Sequence, residues 1–92
     1  MDQAGLEYRL TEILARVVSE AGKTTRSASE LGATEEFAAL GVNSVDLMEF
    51  ILRVEKELNV DLLGTMLPNE LPSTLRGWSE FVYPRLPRST RP

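Results

Sequence analysis

Residues 41–58 have the sequence GVNSVDLMEFILRVEKEL and contain the clearest helix signal in the chain. At about 100° per residue, one set of apolar side chains between Ser44 and Leu58 falls within a sector roughly 100° wide. This set consists of Leu47, Phe50, Ile51, Val54 and Leu58. The spacing therefore predicts a helix from Ser44 to about Leu58 that packs this face against a hydrophobic core.

Val45, Met48 and Leu52 form a second apolar strip on roughly the opposite side of the same helix, which we call the outer strip. A surface helix needs only one apolar face, so the outer strip indicates contact with another molecule. Charged residues of both signs flank it. They are Asp46, Glu49, Arg53, Glu55 and Lys56.

The beginning of this helix suits a bound anion. Asn43 is a favourable N-cap, and Asp46 lies in the first turn, where the helix dipole favours negative charge. Gly41 supplies a flexible approach to the helix. Ser44 follows the cap directly, so its hydroxyl lies beside free backbone N–H groups that would attract a phosphate.

Residues 40–45, LGVNSV, and the amphipathic run that follows resemble the Asp-Ser-Leu motif of acyl carrier proteins. In that family the motif serine receives 4′-phosphopantetheine from coenzyme A, and the terminal thiol of this cofactor carries an acyl group as a thioester. The resemblance implies that Ser44 is the attachment residue, with Asn43 as the helix cap beside it. It covers most of residues 3–83, because Phe37 and the segments 58–61 and 73–75 also sit where the family has comparable features.

The chain departs from the family pattern at one position next to the serine. The family usually has Asp immediately before the serine, and this chain has Asn43. Asn caps a helix about as well as Asp, so the fold is unaffected. The lost negative charge is expected to weaken recognition by the modifying transferase.

The resemblance implies a discrete acyl carrier protein that delivers acyl intermediates in polyketide, specialised lipid or fatty-acid biosynthesis. The partners it implies are a phosphopantetheinyl transferase and enzymes that load or condense acyl groups, such as an acyltransferase or a ketosynthase. Acidic residues around the outer strip favour salt-sensitive encounters with basic enzyme surfaces. The residues expected to dock partners are Val45, Asp46, Met48, Glu49, Leu52 and Glu55. The alternatives are a peptidyl or aminoacyl carrier protein and an unmodified helical interaction module.

Composition narrows the classes of function. The chain has 92 residues, enough for one domain with a small core, and it contains no cysteine and no histidine. This composition excludes disulfides, thiolate nucleophiles, Ser-His triads and the usual zinc ligand sets, so we expect neither an enzyme nor a metal site. Residues 1–83 hold 14 acidic and seven basic residues, a net charge of −7, which disfavours binding to nucleic acid.

Periodicity predicts a first helix from Gln3 to about Ser19, followed by a long loop. The apolar residues of this helix are Leu6, Leu10, Ile13, Leu14 and Val17. Residues 20–34 are small, polar and Gly-punctuated, with at most one irregular turn near residues 28–31. We expect Thr34 to cap a short turn in which Phe37 and Leu40 hold the loop against the core.

The remaining signals complete an all-α prediction. Residues 59–61 end the central helix, and residues 62–67 can form only a short helix because Pro68 and Pro72 bound it. A final helix capped by Ser73 or Thr74 follows. On this helix Leu75, Trp78 and Val82 share a face with Phe81 at its edge, and Trp78 is either a core anchor or the border of a cargo pocket. We predict a small four-helix bundle of three main helices and one short helix, with a long loop between helices 1 and 2.

The two ends of the chain lead to separate expectations. Residues 84–92 contain three arginines and few apolar side chains, so we predict a disordered basic tail after a carrier domain spanning residues 1–83. The first ten residues resemble neither a signal peptide nor a transit peptide, and no apolar run is long enough to span a bilayer. We therefore expect a cytoplasmic monomer without membrane partners.

Overall fold

The computed structural model describes residues 2–22, 30–64 and 71–87, and within these ranges the regular structure is helical, without strands. The three α-helices are α1 (Gln3–Glu20), α2 (Ser44–Leu58) and α3 (Leu75–Val82). Helix α1 packs against both of the others. The prediction of a small all-α bundle is therefore confirmed.

Helix α1 begins and ends close to its predicted limits. The Asp2 side chain accepts a hydrogen bond from the Gly5 N–H at 2.7 Å, which satisfies one of the donors that a helix start leaves unpaired. The helix ends before Gly22, which has a φ of 71°. Its buried residues are Leu6, Leu10, Thr11, Ile13, Leu14, Val17 and Val18.

The core centres on a chain of aromatic rings contributed by α2, α3 and the loop before α2. Edge-to-face contacts join Phe37 to Phe50, Phe50 to Trp78 and Trp78 to Phe81, with centroid separations of 5.6, 5.6 and 5.8 Å. Trp78 is fully buried, so its interpretation as a core anchor is confirmed. Its Nε1–H has no hydrogen-bond acceptor among the groups that the structure describes.

The loop before α2 is fastened to the beginning of α3. The Phe37 N–H donates to the Ser73 carbonyl and the Arg76 N–H to the Ala33 carbonyl, both at 2.8 Å. The second bond satisfies a first-turn donor of α3 that has no partner inside its own helix. Because the loop is held at both points, the chain reaches α2 from a fixed direction.

A short 3-10 turn, Phe37–Leu40, lies at the end of this loop and buries both of its terminal side chains. The prediction that these residues hold the loop against the core is confirmed. The predicted Thr34 cap is wrong, because Glu36 immediately precedes the turn and no side chain caps it. Thr34 instead lies in an earlier turn, closed by a bond from the Glu35 N–H to the Gly32 carbonyl.

The predicted fourth helix, over residues 62–67, falls only partly within the described residues. Its described part is a turn in which the Asp61 carboxylate accepts from the Gly64 N–H at 3.1 Å. The short helices in the described ranges are 3-10 turns, at Phe37–Leu40 and Tyr83–Arg85. The irregular turn predicted near residues 28–31 lies mostly outside the described residues.

Core packing continues past residue 83, the predicted end of the carrier domain. Leu86 is only 3% exposed and belongs to the hydrophobic core. The 3-10 turn Tyr83–Arg85 folds the chain back, and the Leu86 N–H donates to the Tyr83 carbonyl at 3.2 Å. A single leucine between prolines produces no periodic signal, which is why the sequence did not indicate this contact. The predicted tail beyond residue 87 lies outside the described residues.

Arg85, which lies in the predicted basic tail, also contacts the domain. Its guanidinium lies 3.8 Å from the centroid of the Phe81 ring, and it donates to the Phe81 carbonyl at 2.6 Å. Helices long and apolar enough to cross a membrane are absent from the described ranges. Groups of three or more acidic, His or Cys side chains placed to hold a metal are absent from them as well.

Candidate functional site

The chain enters α2 through a glycine in the left-handed region. Gly41 has a φ of 80°, a conformation that is strained for residues with a side chain. Its N–H donates to the Ala38 carbonyl, and the Val42 N–H donates to the Phe37 carbonyl, both at 3.1 Å. These bonds end the 3-10 turn and position the next residues at the start of α2.

A reciprocal capping box then fixes the first turn of α2. The Asn43 side-chain oxygen accepts from the Asp46 N–H at 2.9 Å, and the Asp46 carboxylate accepts from the Asn43 N–H at 3.2 Å. The Asn43 carbonyl accepts the first intrahelical bond, from the Leu47 N–H at 2.9 Å. Asn43 therefore caps α2, as the sequence predicts.

Ser44 is the first residue of α2, and it is exposed. Its hydroxyl forms no hydrogen bond with any described group. The backbone N–H groups of Ser44 and Val45 precede the first intrahelical bond and also have no acceptor in the described ranges. An exposed hydroxyl thus lies next to unpaired donors at the positive end of a 15-residue helix.

The outer strip lies on the surface immediately after Ser44. Val45 is 74% exposed, Met48 45% and Leu52 46%, whereas Phe50 and Val54 on the opposite side are fully buried. The structure also exposes Leu63, at 45%, in the turn that follows α2. The two-faced character predicted for this helix is therefore present in the structure.

Arg53 connects the outer surface of α2 to the end of α1. It donates to the Glu49 carboxylate at 2.9 Å and to the Glu20 carboxylate at 3.1 Å. Hydrogen bonds from Arg53 lower the pKa of the Glu20 carboxyl, and the bonds to Glu20 and Glu49 raise the pKa of Arg53. The pairing with Glu20 could not be predicted from the sequence, because helical spacing reports only contacts within one helix.

Two of the acids predicted to dock partners bind backbone groups inside the molecule. Asp46 is only 8% exposed and belongs to the capping box. The Glu55 carboxylate accepts from the Leu62 N–H at 2.7 Å and the Leu63 N–H at 3.0 Å, which fastens the turn after α2. Their positions on the helix were predicted correctly, but the backbone donors to Glu55 lie beyond the end of α2 and could not be read from helical spacing.

Comparison with known families agrees with this geometry. The family described as phosphopantetheine attachment site matches residues 9–82, which include all of α2 and α3. The chain therefore belongs to this family of phosphopantetheine-binding carrier proteins, whose domain is the site of covalent attachment of 4′-phosphopantetheine. No curated protein and no solved structure matches the chain.

The residues at the start of α2 fit such a group. Attachment through a phosphodiester requires an accessible hydroxyl, and Ser44 is exposed. The unpaired N–H groups of Ser44 and Val45 and the dipole of α2 would stabilise the negative charge of that phosphodiester. The capping box binds the Asp46 carboxylate to the Asn43 N–H, which keeps the helix start ordered around the hydroxyl.

Proposed function

We propose that this chain is an acyl carrier protein in which Ser44 bears the 4′-phosphopantetheine group. The observation that carries the assignment is the exposed Ser44 hydroxyl at a capped helix start with unpaired N–H groups. Three other hydroxyls in the described ranges have structural roles. Thr11 and Ser79 donate to backbone carbonyls, and Thr74 caps α3.

The proposed role of the protein is to present cargo rather than to make or break bonds. The prosthetic group, when bound, supplies a thiol that holds an acyl group as a thioester. The chain contributes a rigid attachment point, because Asn43 and Asp46 fix the first turn of α2 and Gly41 fixes its approach. Tethering raises the effective concentration of the cargo at each partner's active site.

We favour acyl cargo over peptidyl cargo because residues 40–45, LGVNSV, resemble acyl carriers more than the Gly-Gly-His/Asp-Ser pattern frequent in peptidyl carriers. Arg53 and Lys56 give α2 a mixed charge, which supports a specialised polyketide or lipid pathway over housekeeping fatty-acid synthesis. The proposed partners are a phosphopantetheinyl transferase and acyl-loading or condensing enzymes in the cytoplasm. They would dock on the outer strip next to Ser44.

An unmodified helical interaction module is the alternative function, and the exposure of the outer strip is the observation that favours it. Such a module would bind one partner permanently through the outer strip and would need no prosthetic group. A carrier protein requires attachment of phosphopantetheine to Ser44 and an interaction module does not, so this modification distinguishes the two functions.

The test is intact mass spectrometry after incubation with coenzyme A and a phosphopantetheinyl transferase. We expect wild-type protein to gain one phosphopantetheine group and Ser44→Ala to remain folded and unmodified. Ser73→Ala, which changes another exposed serine at the start of a helix, is the matched control and should be modified normally. Modification of Ser44→Ala would disprove the site, and an unmodified wild-type protein would favour the interaction module.

A further inference from the structure

The acidic side chains next to the outer strip are already bound within the molecule. Glu49 pairs with Arg53, Glu55 accepts from two backbone N–H groups, and Asp46 is buried in the capping box. A basic partner would have to compete with these bonds to reach any of the three carboxylates. These bonds reduce the gain that a basic partner would obtain from direct contact with the three carboxylates.

The acidic residues that line the groove beside the outer strip are also paired with cations. It has a volume of about 500 Å³, and its lining residues are Glu49, Leu52, Arg53, Lys56 and Glu57. Glu57 pairs with Arg9 at 3.2 Å and with Arg16 at 2.9 Å. The two acids that line the groove, Glu49 and Glu57, therefore each form an ion pair with arginine side chains of α1 or α2.

Lys56 differs from the other charged residues of the groove. It is exposed and forms no ion pair with the acids that the structure describes. Arg53, by contrast, is shared between Glu20 and Glu49 and is 26% exposed at its side chain. Among the charged residues that line the groove, Lys56 is therefore the one whose charge is not already paired within the described ranges.

We propose that partner enzymes recognise α2 with an apolar surface that carries a carboxylate opposite Lys56, rather than with a basic patch. The outer strip supplies the apolar contact, with three side chains at least 45% exposed within about two and a half helical turns of Ser44. The carboxylate would pair with Lys56 across the groove. This inference rests on the proposed function, and it replaces the basic partner surface expected from the sequence.

The test measures kcat/KM for modification by a phosphopantetheinyl transferase, which must dock beside Ser44. Lys56→Glu should lower kcat/KM by about threefold to tenfold, because it places like charges opposite each other. Glu49→Gln makes the face more positive and should raise kcat/KM by about twofold. A basic partner would produce the opposite sign for both variants, and that result would overturn the inference.

The apolar contact is tested with matched variants in the same assay. Met48→Ala should lower kcat/KM by about fivefold to tenfold, a loss typical of a buried apolar contact. Tyr8→Ala removes a 63% exposed aromatic side chain from α1 and is the control that should leave the rate unchanged. Thermal melts monitored by circular dichroism establish that each variant is folded.

A salt series from about 0.05 to 0.5 M, in which exposed charges become progressively screened, completes the test. We expect the wild-type kcat/KM to change by less than about threefold, because at most one ion pair contributes. A steep fall in rate with salt would overturn the inference while leaving Ser44 modification, and hence the proposed function, intact. Absence of any modification under these conditions would instead contradict the proposed function.

Discussion

Asn43 performs at the residue scale the capping role that the family usually gives to aspartate. Its side-chain oxygen accepts the Asp46 N–H, and Asp46 supplies the carboxylate that accepts the Asn43 N–H in return. The first turn thus retains one negative charge even though the position before Ser44 is neutral. The cap and its effect on α2 can be examined by substitution.

Replacing Asn43 by alanine should lower the free energy of unfolding by about 1 kcal/mol, because the Asp46 N–H loses its acceptor. Asn43→Asp keeps an acceptor at the same position and should change stability by less than about 0.5 kcal/mol. Urea unfolding followed by circular dichroism measures both values. Equal stability of Asn43→Ala and wild type would show that the capping box contributes nothing.

At the scale of single elements, the sequence was sufficient to locate α1, α2 and α3. Each helix buries one stripe of apolar side chains, and that stripe repeats with the helical period in the sequence. What the sequence could not show were bonds between distant segments, such as the Arg76 N–H to the Ala33 carbonyl. These bonds join backbone atoms, which every residue possesses, so no side-chain pattern marks them.

The same limit applies to the candidate site. Ser44 and its cap were found because they are neighbours in sequence and belong to a recognisable motif. The pairing of Arg53 with Glu20 and the bonds of Glu55 to the turn after α2 depend on how the chain folds back. The charge available to a partner could therefore be judged only from the structure.

Glu55→Ala tests the fastening of the turn after α2. Loss of the carboxylate leaves the Leu62 and Leu63 N–H groups without their acceptor, so their amide hydrogens should exchange faster with solvent. Lys56→Ala, a change at the adjacent exposed residue, is the control for altered helix propensity. Unchanged exchange at both amides in Glu55→Ala would show that the carboxylate does not hold the turn.

The ion pair between α1 and α2 predicts a pH dependence. Hydrogen bonds from Arg53 hold the pKa of Glu20 below its ordinary value of 4.5 in the folded protein, so its contribution to stability is fully present above about pH 4.5. The contribution is lost as the pH falls through the lowered folded pKa. Glu20→Gln should therefore lower Tm slightly at pH 6, and the difference from wild type should disappear in acid, once the pH is below the lowered pKa of Glu20. A difference that persists after Glu20 is protonated would indicate a cause other than its charge.

At the scale of the whole molecule, the folded domain includes the segment after α3. Leu86 closes the core next to α3, and Arg85 covers the exposed side of Phe81. A domain that ended at residue 83 would lack both contacts. Packing contacts of the core therefore continue past the end of α3.

Leu86→Ala should lower the free energy of unfolding by about 2–4 kcal/mol, because it removes a side chain that is 3% exposed in the core. Removal of residues 86–92 should lower the free energy of unfolding by a comparable amount, which would appear as a lower Tm. Removal of residues 88–92 alone is the control that separates Leu86 from the sequence beyond it. Thermal unfolding of the three variants measures these effects, and wild-type stability after the longer truncation would contradict the assigned boundary.

The central claim is that this protein carries acyl groups on a prosthetic arm at Ser44. Its most direct test is the intact mass of the protein isolated from its own cells, measured before and after hydroxylamine, combined with mapping of the modified peptide. We expect 4′-phosphopantetheine on Ser44 with an acyl group that hydroxylamine releases. An unmodified protein, or an arm that carries an aminoacyl or peptidyl group, would contradict the claim.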